Sequence, residues 1–122
     1  MKVLDTSAVL AFLFGEPGAD KALDAFDGGA ISVVNIAEIL IRLARDGVDP
    51  VASLSRVERC GLAVEAPTLD DAVAAARLAP NSGLSLGDRL CIALAHRLQA
   101  PVVTSDRTWM QSSLPVTVEL IR

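Results

Sequence analysis

The sequence predicts an α/β protein, a three-layer α/β/α sandwich built on a central, mainly parallel sheet of four or five strands. Short apolar runs alternate with longer helical segments along the 122-residue chain, and this alternation is typical of parallel sheets with right-handed crossovers. The composition is 52% hydrophobic and 21% charged, as expected of one packed domain spanning residues 1–122.

The first half of the chain predicts two strands and three helices. A strand over residues 2–5 precedes helices over 7–14 and 18–26, and a strand over 30–34 precedes a helix over 35–45. Glycine ends a helix because it adopts the left-handed conformation without strain. The three helices are followed by Gly15, Gly28 and Gly47.

The second half predicts three helices and three strands. A helix over 50–59 opens with a proline, which suits a first helical position, and a short strand over 62–65 follows. Helices over 69–79 and 86–99 are separated by a proline and a glycine, which disfavour a continuous helix. The last two predicted strands are 101–104 and 116–120, the latter at an edge of the sheet.

Four acidic residues far apart in the sequence are predicted to meet at one edge of this sheet. Asp5 ends the first strand and Asp106 follows the fourth, and functional sites of parallel sheets gather at the carboxyl ends of strands. Glu38 and Asp88 are expected in the first turns of helices that begin at that edge. Because converging carboxylates repel one another, the set predicts a divalent-metal site.

Each acid also has a structural interpretation, as a helix cap or turn former. Three segments fit a capping box, in which the acid accepts a bond from the backbone that starts the helix; they are Asn35-x-x-Glu38, Ser85-x-x-Asp88 and Thr68-x-x-Asp71. Asp5 can likewise cap the next helix, and Asp106 can open a turn. Local sequence does not separate a cap from a ligand, so the metal hypothesis rests on the joint placement, and no function is assigned to Asp71.

Other chemistries find little support in the sequence. The net charge of −4 argues against a broad electrostatic grip on nucleic acid, although several arginines could rim an acidic pocket: Arg42, Arg45, Arg89 and Arg107. The single histidine, His96, excludes a site built from paired histidines. Ser7 has no histidine nearby in sequence, so a hydrolase triad is unsupported. Without an export signal or apolar span, we expect a cytoplasmic protein that makes no membrane contact and keeps its cysteines reduced.

Four segments together resemble the PIN-domain nucleases, specifically the VapC-type toxins. They are Val3-Leu4-Asp5-Thr6-Ser7-Ala8, Asn35-Ile36-Ala37-Glu38, Leu84-Ser85-Leu86-Gly87-Asp88 and Val103-Thr104-Ser105-Asp106-Arg107-Thr108-Trp109. Each is weak alone, but their order and spacing are specific, and the resemblance covers essentially the whole chain.

The resemblance implies an endoribonuclease that uses Mg²⁺ or Mn²⁺. The metal would be held by Asp5, Glu38, Asp88 and Asp106, and Thr6 and Thr104 would hydrogen-bond ligands or water. It further implies a cognate antitoxin and a homodimer. From the ligand chemistry, we expect Asp5 and Asp88 to bind the cation directly, and Glu38 and Asp106 to bind it directly or through water.

The sequence is also compatible with two other functions. An aspartate-based phosphatase would use Asp5 as its nucleophile, but it normally needs a second aspartate where this chain has Ser7. A non-catalytic module would instead receive a basic partner at the acidic edge. The apolar run from Ala8 to Phe14 exceeds one buried helix face, so it either completes the core or offers a surface to a second copy or an antitoxin.

Overall fold

A computed structural model describes the whole chain, Met1–Arg122. Five strands form one entirely parallel sheet in the order β3-β2-β1-β4-β5. The strands are β1 (Val3–Leu4), β2 (Ala30–Ser32), β3 (Ala63–Glu65), β4 (Val102–Thr104) and β5 (Val118–Leu120). The predicted fold class is confirmed, and β5 lies at an edge as expected.

Six helices cover the two faces of the sheet. They are α1 (Thr6–Phe14), α2 (Ala19–Phe26), α3 (Val33–Arg45), α4 (Pro50–Glu58), α5 (Leu69–Arg77) and α6 (Leu86–Arg97). One hydrophobic core contains buried residues of α1 to α4, and the other contains those of α6 and of a short 3₁₀ turn, Arg107–Gln111. One interpretation of the sequence placed a turn at Asp106 but not its 3₁₀ helical form, and Trp109 of this turn is buried in the second core.

The central strand β1 joins the two cores. Val3 is in register with Ala30 on one side and Val102 on the other, and Leu4 is in register with Val103. Successive strand side chains point to opposite faces, so Val3 packs in the core with α6 while Leu4 packs in the core with α1. Each such burial contributes about 1.5 to 3 kcal/mol.

Helix α3 begins two residues earlier than predicted. The expected strand over 30–34 ends at Ser32, because the Ser32 Oγ accepts a hydrogen bond of 3.2 Å from the Val34 N–H and caps the helix. Asn35 is therefore the third helical residue, and Glu38 lies in the second turn rather than the first. The predicted capping box of Asn35 and Glu38 is wrong.

The apolar run of α1 mainly completes the core. Ala8, Val9 and Ala11 are buried, and only Phe14 at the end of the helix is exposed. Gly15 ends α1 in the left-handed conformation at φ 64°. None of the helices combines the length and apolar character needed to span a membrane.

Candidate active site at the carboxyl edge of the sheet

Asp5 lies directly after β1 and is almost fully buried, with 5% of its surface exposed. Its Oδ2 accepts hydrogen bonds from the Ser7 Oγ at 2.7 Å and the Thr104 Oγ1 at 2.8 Å. Although Asp5 occupies the position before α1, its side chain makes no capping bond to that helix. Asp5 therefore occupies the cap position of α1, while its carboxylate is held by the Ser7 and Thr104 hydroxyls.

The same two hydroxyls hold the segment that follows β4. The Thr104 Oγ1 accepts a hydrogen bond from the Asp106 N–H at 3.0 Å, and the Ser7 Oγ accepts one from the Ser105 N–H at 2.9 Å. Sequence reasoning dismissed Ser7 as a nucleophile and missed this role. Its spacing of two residues from Asp5, at a helix start, was the available signal.

Glu38 is held by two neutral donors. Its Oε1 accepts hydrogen bonds from the Thr6 Oγ1 at 2.6 Å and the Asn35 Nδ2 at 2.8 Å. Asn35 is completely buried, and its Nδ2 also lies 3.0 Å from the Thr6 Oγ1 and 3.5 Å from the Gly87 carbonyl oxygen. Asn35 thus belongs to the site as a support of Glu38, a role that the sequence did not reveal.

Asp88 forms the predicted capping box at the start of α6. Its Oδ2 accepts a hydrogen bond from the Ser85 N–H at 3.0 Å, and its own N–H donates to the Ser85 Oγ at 3.1 Å. The apolar stripe below it faces inward as predicted, since Cys91, Ile92 and Ala95 are fully buried.

The comparison box at the start of α5 has the same cap geometry but a different environment. The Asp71 Oδ2 accepts a bond from the Thr68 N–H at 3.0 Å, while the Arg97 guanidinium lies 3.0 Å from Oδ1. Asp71 is buried. Hydrogen bonds from Arg97 and Thr68 lower the pKa of Asp71 and outweigh the opposing effect of burial. Asp71 is therefore engaged in a structural ion pair between α5 and α6.

Asp106 opens the 3₁₀ turn, as one interpretation of the sequence predicted. Its Oδ1 accepts hydrogen bonds from the Thr108 N–H at 2.9 Å and the Thr108 Oγ1 at 2.6 Å. Together with the bond from its own N–H to Thr104, these contacts fix Asp106 at the carboxyl end of β4.

A common pattern links the four carboxylates. In each one the hydrogen bonds go to a single oxygen: Oδ2 in Asp5 and Asp88, Oε1 in Glu38 and Oδ1 in Asp106. The second oxygen of every carboxylate makes no such bond. Side-chain rotation is therefore restrained while one oxygen is left for a ligand.

The acids also influence one another electrostatically. Burial raises the pKa of Asp5, and the nearby Asp88 carboxylate raises it further, against hydrogen bonds from Ser7 and Thr104 that lower it. Burial likewise raises the pKa of Asp88, with added contributions from Glu38 and Asp106. Asp88 therefore interacts electrostatically with each of the three other acids.

The donor set fits a hard divalent cation in its chemistry. Carboxylate oxygens are the ligands that Mg²⁺ and Mn²⁺ prefer, and a cation between them would offset their repulsion. No group of three or more His, Cys, Asp or Glu side chains lies in an arrangement that could hold a metal as it stands. A cation would have to draw the free oxygens toward itself.

The arginines considered as a rim are divided. Arg42 pairs with Asp46 at 3.0 Å, and Arg89 donates to backbone carbonyls of Ala75, Leu78, Ala79 and Leu84. Both therefore have structural partners. Arg107, next to Asp106, is exposed and makes no ion pair.

The protein is thus a parallel α/β protein whose candidate active site consists of acidic residues at the carboxyl edge of the sheet. Within that class, the chain belongs to the PIN domain family, which it matches over residues 2–111. No curated protein matches the sequence.

Solved structures of the same fold include chains of toxin-antitoxin complexes. VapBC2 from Rickettsia felis, bound to promoter DNA, gives a TM-score of 0.75 at 16% identity, covering 98% of this chain and 97% of the other. DNA-bound VapBC from Salmonella typhimurium gives 0.75 at 16%, covering 99% and 98%. A toxin-antitoxin complex from Klebsiella pneumoniae gives 0.71 at 20%, covering 87% of each chain. The resemblance to VapC-type PIN proteins agrees with these neighbours.

Proposed function

We propose that the protein is a divalent-cation-dependent endoribonuclease, one nuclease domain over residues 1–122, and the toxin of a toxin-antitoxin pair. The observation that carries this proposal is that Asp88 interacts electrostatically with three acids from other elements, and that each of the four carboxylates is restrained through one oxygen and free at the other. Membership of the PIN domain family supports the nuclease activity, and the toxin-antitoxin neighbours support the pairing.

Asp5, Glu38, Asp88 and Asp106 are the residues that would hold Mg²⁺ or Mn²⁺. When bound, the cation supplies positive charge that offsets the acids and polarises the scissile phosphate and the attacking water. Asp5 and Asp88 are proposed as direct ligands, and Glu38 and Asp106 as ligands directly or through water.

The protein's own groups restrain the acids and move the proton. Ser7 and Thr104 hold Asp5, which keeps the deepest carboxylate in one orientation. Asp88 is half-buried with a raised pKa and a free Oδ1. Asp88 would bind the cation through that oxygen, and a carboxylate that the cation does not fully engage would act as general base toward the attacking water.

Chelation and one substitution test this function together. Addition of a chelator should abolish cleavage of RNA, and Mg²⁺ or Mn²⁺ should restore it. Asp5→Asn should lose cleavage while it stays folded, and without cation it should be more stable by about 1 kcal/mol, because one charge leaves a repelling cluster. Cleavage gels, circular dichroism and thermal melts measure these quantities.

Three outcomes would contradict the proposal. Cleavage that persists in chelator would exclude cation dependence. Hydrolysis of small phosphoesters without RNA cleavage would favour the aspartate-based phosphatase. Binding of a basic partner with no hydrolysis would favour the non-catalytic module.

Sequencing of RNA fragments from cells after brief induction would identify the cleaved RNA.

Two exposed apolar surfaces support the proposed partners. Phe14, Ile41 and Val51 are exposed on α1, α3 and α4, and we assign this antitoxin surface to an apolar helix of the antitoxin. Leu69, Val73 and Leu86 are exposed on α5 and α6, and Leu86 also lines a cleft of about 470 Å³ between these helices. We assign this second surface to a homodimer contact.

A further inference from the structure

Gly87 lies in the first turn of α6 directly beneath the carboxylate of Glu38. A Cβ placed on Gly87 would lie 2.5 Å from the Glu38 Oε2, 2.6 Å from Oε1 and 2.7 Å from Cδ. These three atoms are its nearest neighbours, and all belong to that one carboxylate. Any side chain at position 87 would therefore occupy the place that Glu38 now takes.

The backbone itself does not require glycine at this position. Gly87 is helical and is not among the glycines with positive φ. Alanine is a better helix former than glycine, so local stability favours alanine at position 87. Helix formation therefore does not explain the glycine at position 87, whereas the close approach of Glu38 does.

Asn35 holds the same carboxylate by a hydrogen bond. Its Nδ2 donates to the Glu38 Oε1 at 2.8 Å and lies 3.5 Å from the Gly87 carbonyl oxygen. Its Oδ1 is buried and has no hydrogen-bond partner. A buried acceptor without a donor is costly, so the amide contributes through the contacts of its NH₂ group.

We propose that Gly87 and Asn35 are positioning residues that seat the Glu38 carboxylate against the first turn of α6, beside Asp88, and thereby set the affinity of this edge for a divalent cation. Both Glu38 oxygens lie over Gly87, at 2.5 Å and 2.6 Å from the place of such a Cβ, and Oε2 is the one left without a hydrogen bond. The inference rests on the proposed function, since it assigns the seat of Glu38 a role in cation binding.

The test measures Mn²⁺ binding by calorimetry, without RNA, together with the melting temperature. Gly87→Ala should bind Mn²⁺ about tenfold more weakly, as expected when the support of a ligand is lost. Its melting temperature should change little, because the better helix propensity of alanine offsets the loss of the hydrogen bonds that Thr6 and Asn35 make to Glu38. Asn35→Leu should also weaken binding, and it serves as the second variant if Gly87→Ala does not fold.

A double substitution shows whether Gly87→Ala weakens Mn²⁺ binding by displacing Glu38 or by a general change in α6. In a Glu38→Ala background, Gly87→Ala should alter Mn²⁺ affinity by less than about twofold, because the group it displaces is absent. An equal loss in both backgrounds would overturn the inference. So would wild-type affinity in Gly87→Ala when Glu38→Ala alone binds weakly. If wild type and Glu38→Ala both fail to bind Mn²⁺, the proposed function fails as well.

Discussion

At the scale of single residues, neutral groups restrain the four acids and leave their charge uncompensated. Hydroxyl, amide and backbone N–H groups hold Asp5, Glu38, Asp88 and Asp106. The ion pairs of the protein involve other acids, namely Glu119, Asp46 and Asp71. An arginine partner would lower the negative potential, whereas neutral donors orient the carboxylates and preserve it for a cation.

Thr104 is the residue whose loss should affect this arrangement most directly. Thr104→Val keeps the shape but removes the hydroxyl that donates to Asp5 and accepts from the Asp106 N–H. We expect a loss of roughly 1 to 3 kcal/mol in unfolding free energy, since Thr104 is fully buried and unpaired buried groups are costly. RNA cleavage should fall with it.

Thr104→Ser is the matched control because it retains the hydroxyl. It should keep most of the cleavage activity and lose less stability than Thr104→Val. Urea unfolding and single-turnover cleavage measure the two effects. Equal cleavage by the valine and serine variants would show that the hydroxyl has no part in the reaction.

The sequence revealed charged residues of the site better than neutral ones. Asp5 was located because a strand followed by an acid is visible in the sequence, and the sheet topology then supplied its neighbours. Ser7 and Asn35 were missed, since a serine or asparagine near a helix start is usually a cap. Only their contacts with Asp5 and Glu38 distinguish them.

At the scale of elements, α5 and α6 begin with nearly identical capping boxes. The acid accepts from the cap N–H at 3.0 Å in both, and the cap hydroxyl accepts at 3.1 Å in both. The difference lies in the second oxygen of the acid, which meets Arg97 in Asp71 and makes no bond in Asp88. The two helices therefore provide an internal comparison of a structural cap with a proposed ligand.

Asp71→Asn should cost more stability than Asp88→Asn, whereas only Asp88→Asn should cost cleavage activity. Asp71→Asn should lose roughly 1 to 3 kcal/mol, from the cap and from the partner of Arg97, and keep its cleavage activity. Asp88→Asn should lose about 1 kcal/mol or less, because relief of repulsion offsets the weaker cap, and it should lose cleavage. Melting curves and cleavage assays on both variants test this. Equal cleavage would refute the metal-nuclease hypothesis.

Most elements could be predicted from the sequence, and the errors have local causes. The start of α3 was misplaced because Val33 and Val34 favour a strand by propensity, whereas Ser32 supplies the cap that starts the helix. The 3₁₀ helical form of the turn after Asp106 was missed because it is short and its Trp109 is buried through tertiary packing. Apolar periodicity carries no information about either feature.

At the scale of the whole molecule, the two exposed apolar surfaces lie on different helices. Ile41→Asp, on the antitoxin surface, should prevent binding of the antitoxin and leave the dimer intact. Leu69→Asp, on the second surface, should prevent dimerisation and leave antitoxin binding intact. Residues 41 and 69 are 62% and 88% exposed, so neither change should cost more than about 0.5 kcal/mol.

Light scattering and a pull-down with the neighbouring gene product measure these effects. Each variant is the control for the other, because both introduce one charge at an exposed site. A dimer that survives Leu69→Asp, or antitoxin binding that survives Ile41→Asp, would show that the surface was assigned to the wrong partner.

The place of β1 in the middle of the sheet has a consequence for synthesis. The first strand to leave the ribosome gains one neighbour, β2, early, but its other neighbour, β4, is encoded near the end of the chain. A growing chain that already contains Asp5, Glu38 and Asp88 still lacks Thr104, which orients Asp5. The acids therefore reach their final places only after residue 104 has emerged, so the candidate site cannot be assembled on a shorter nascent chain.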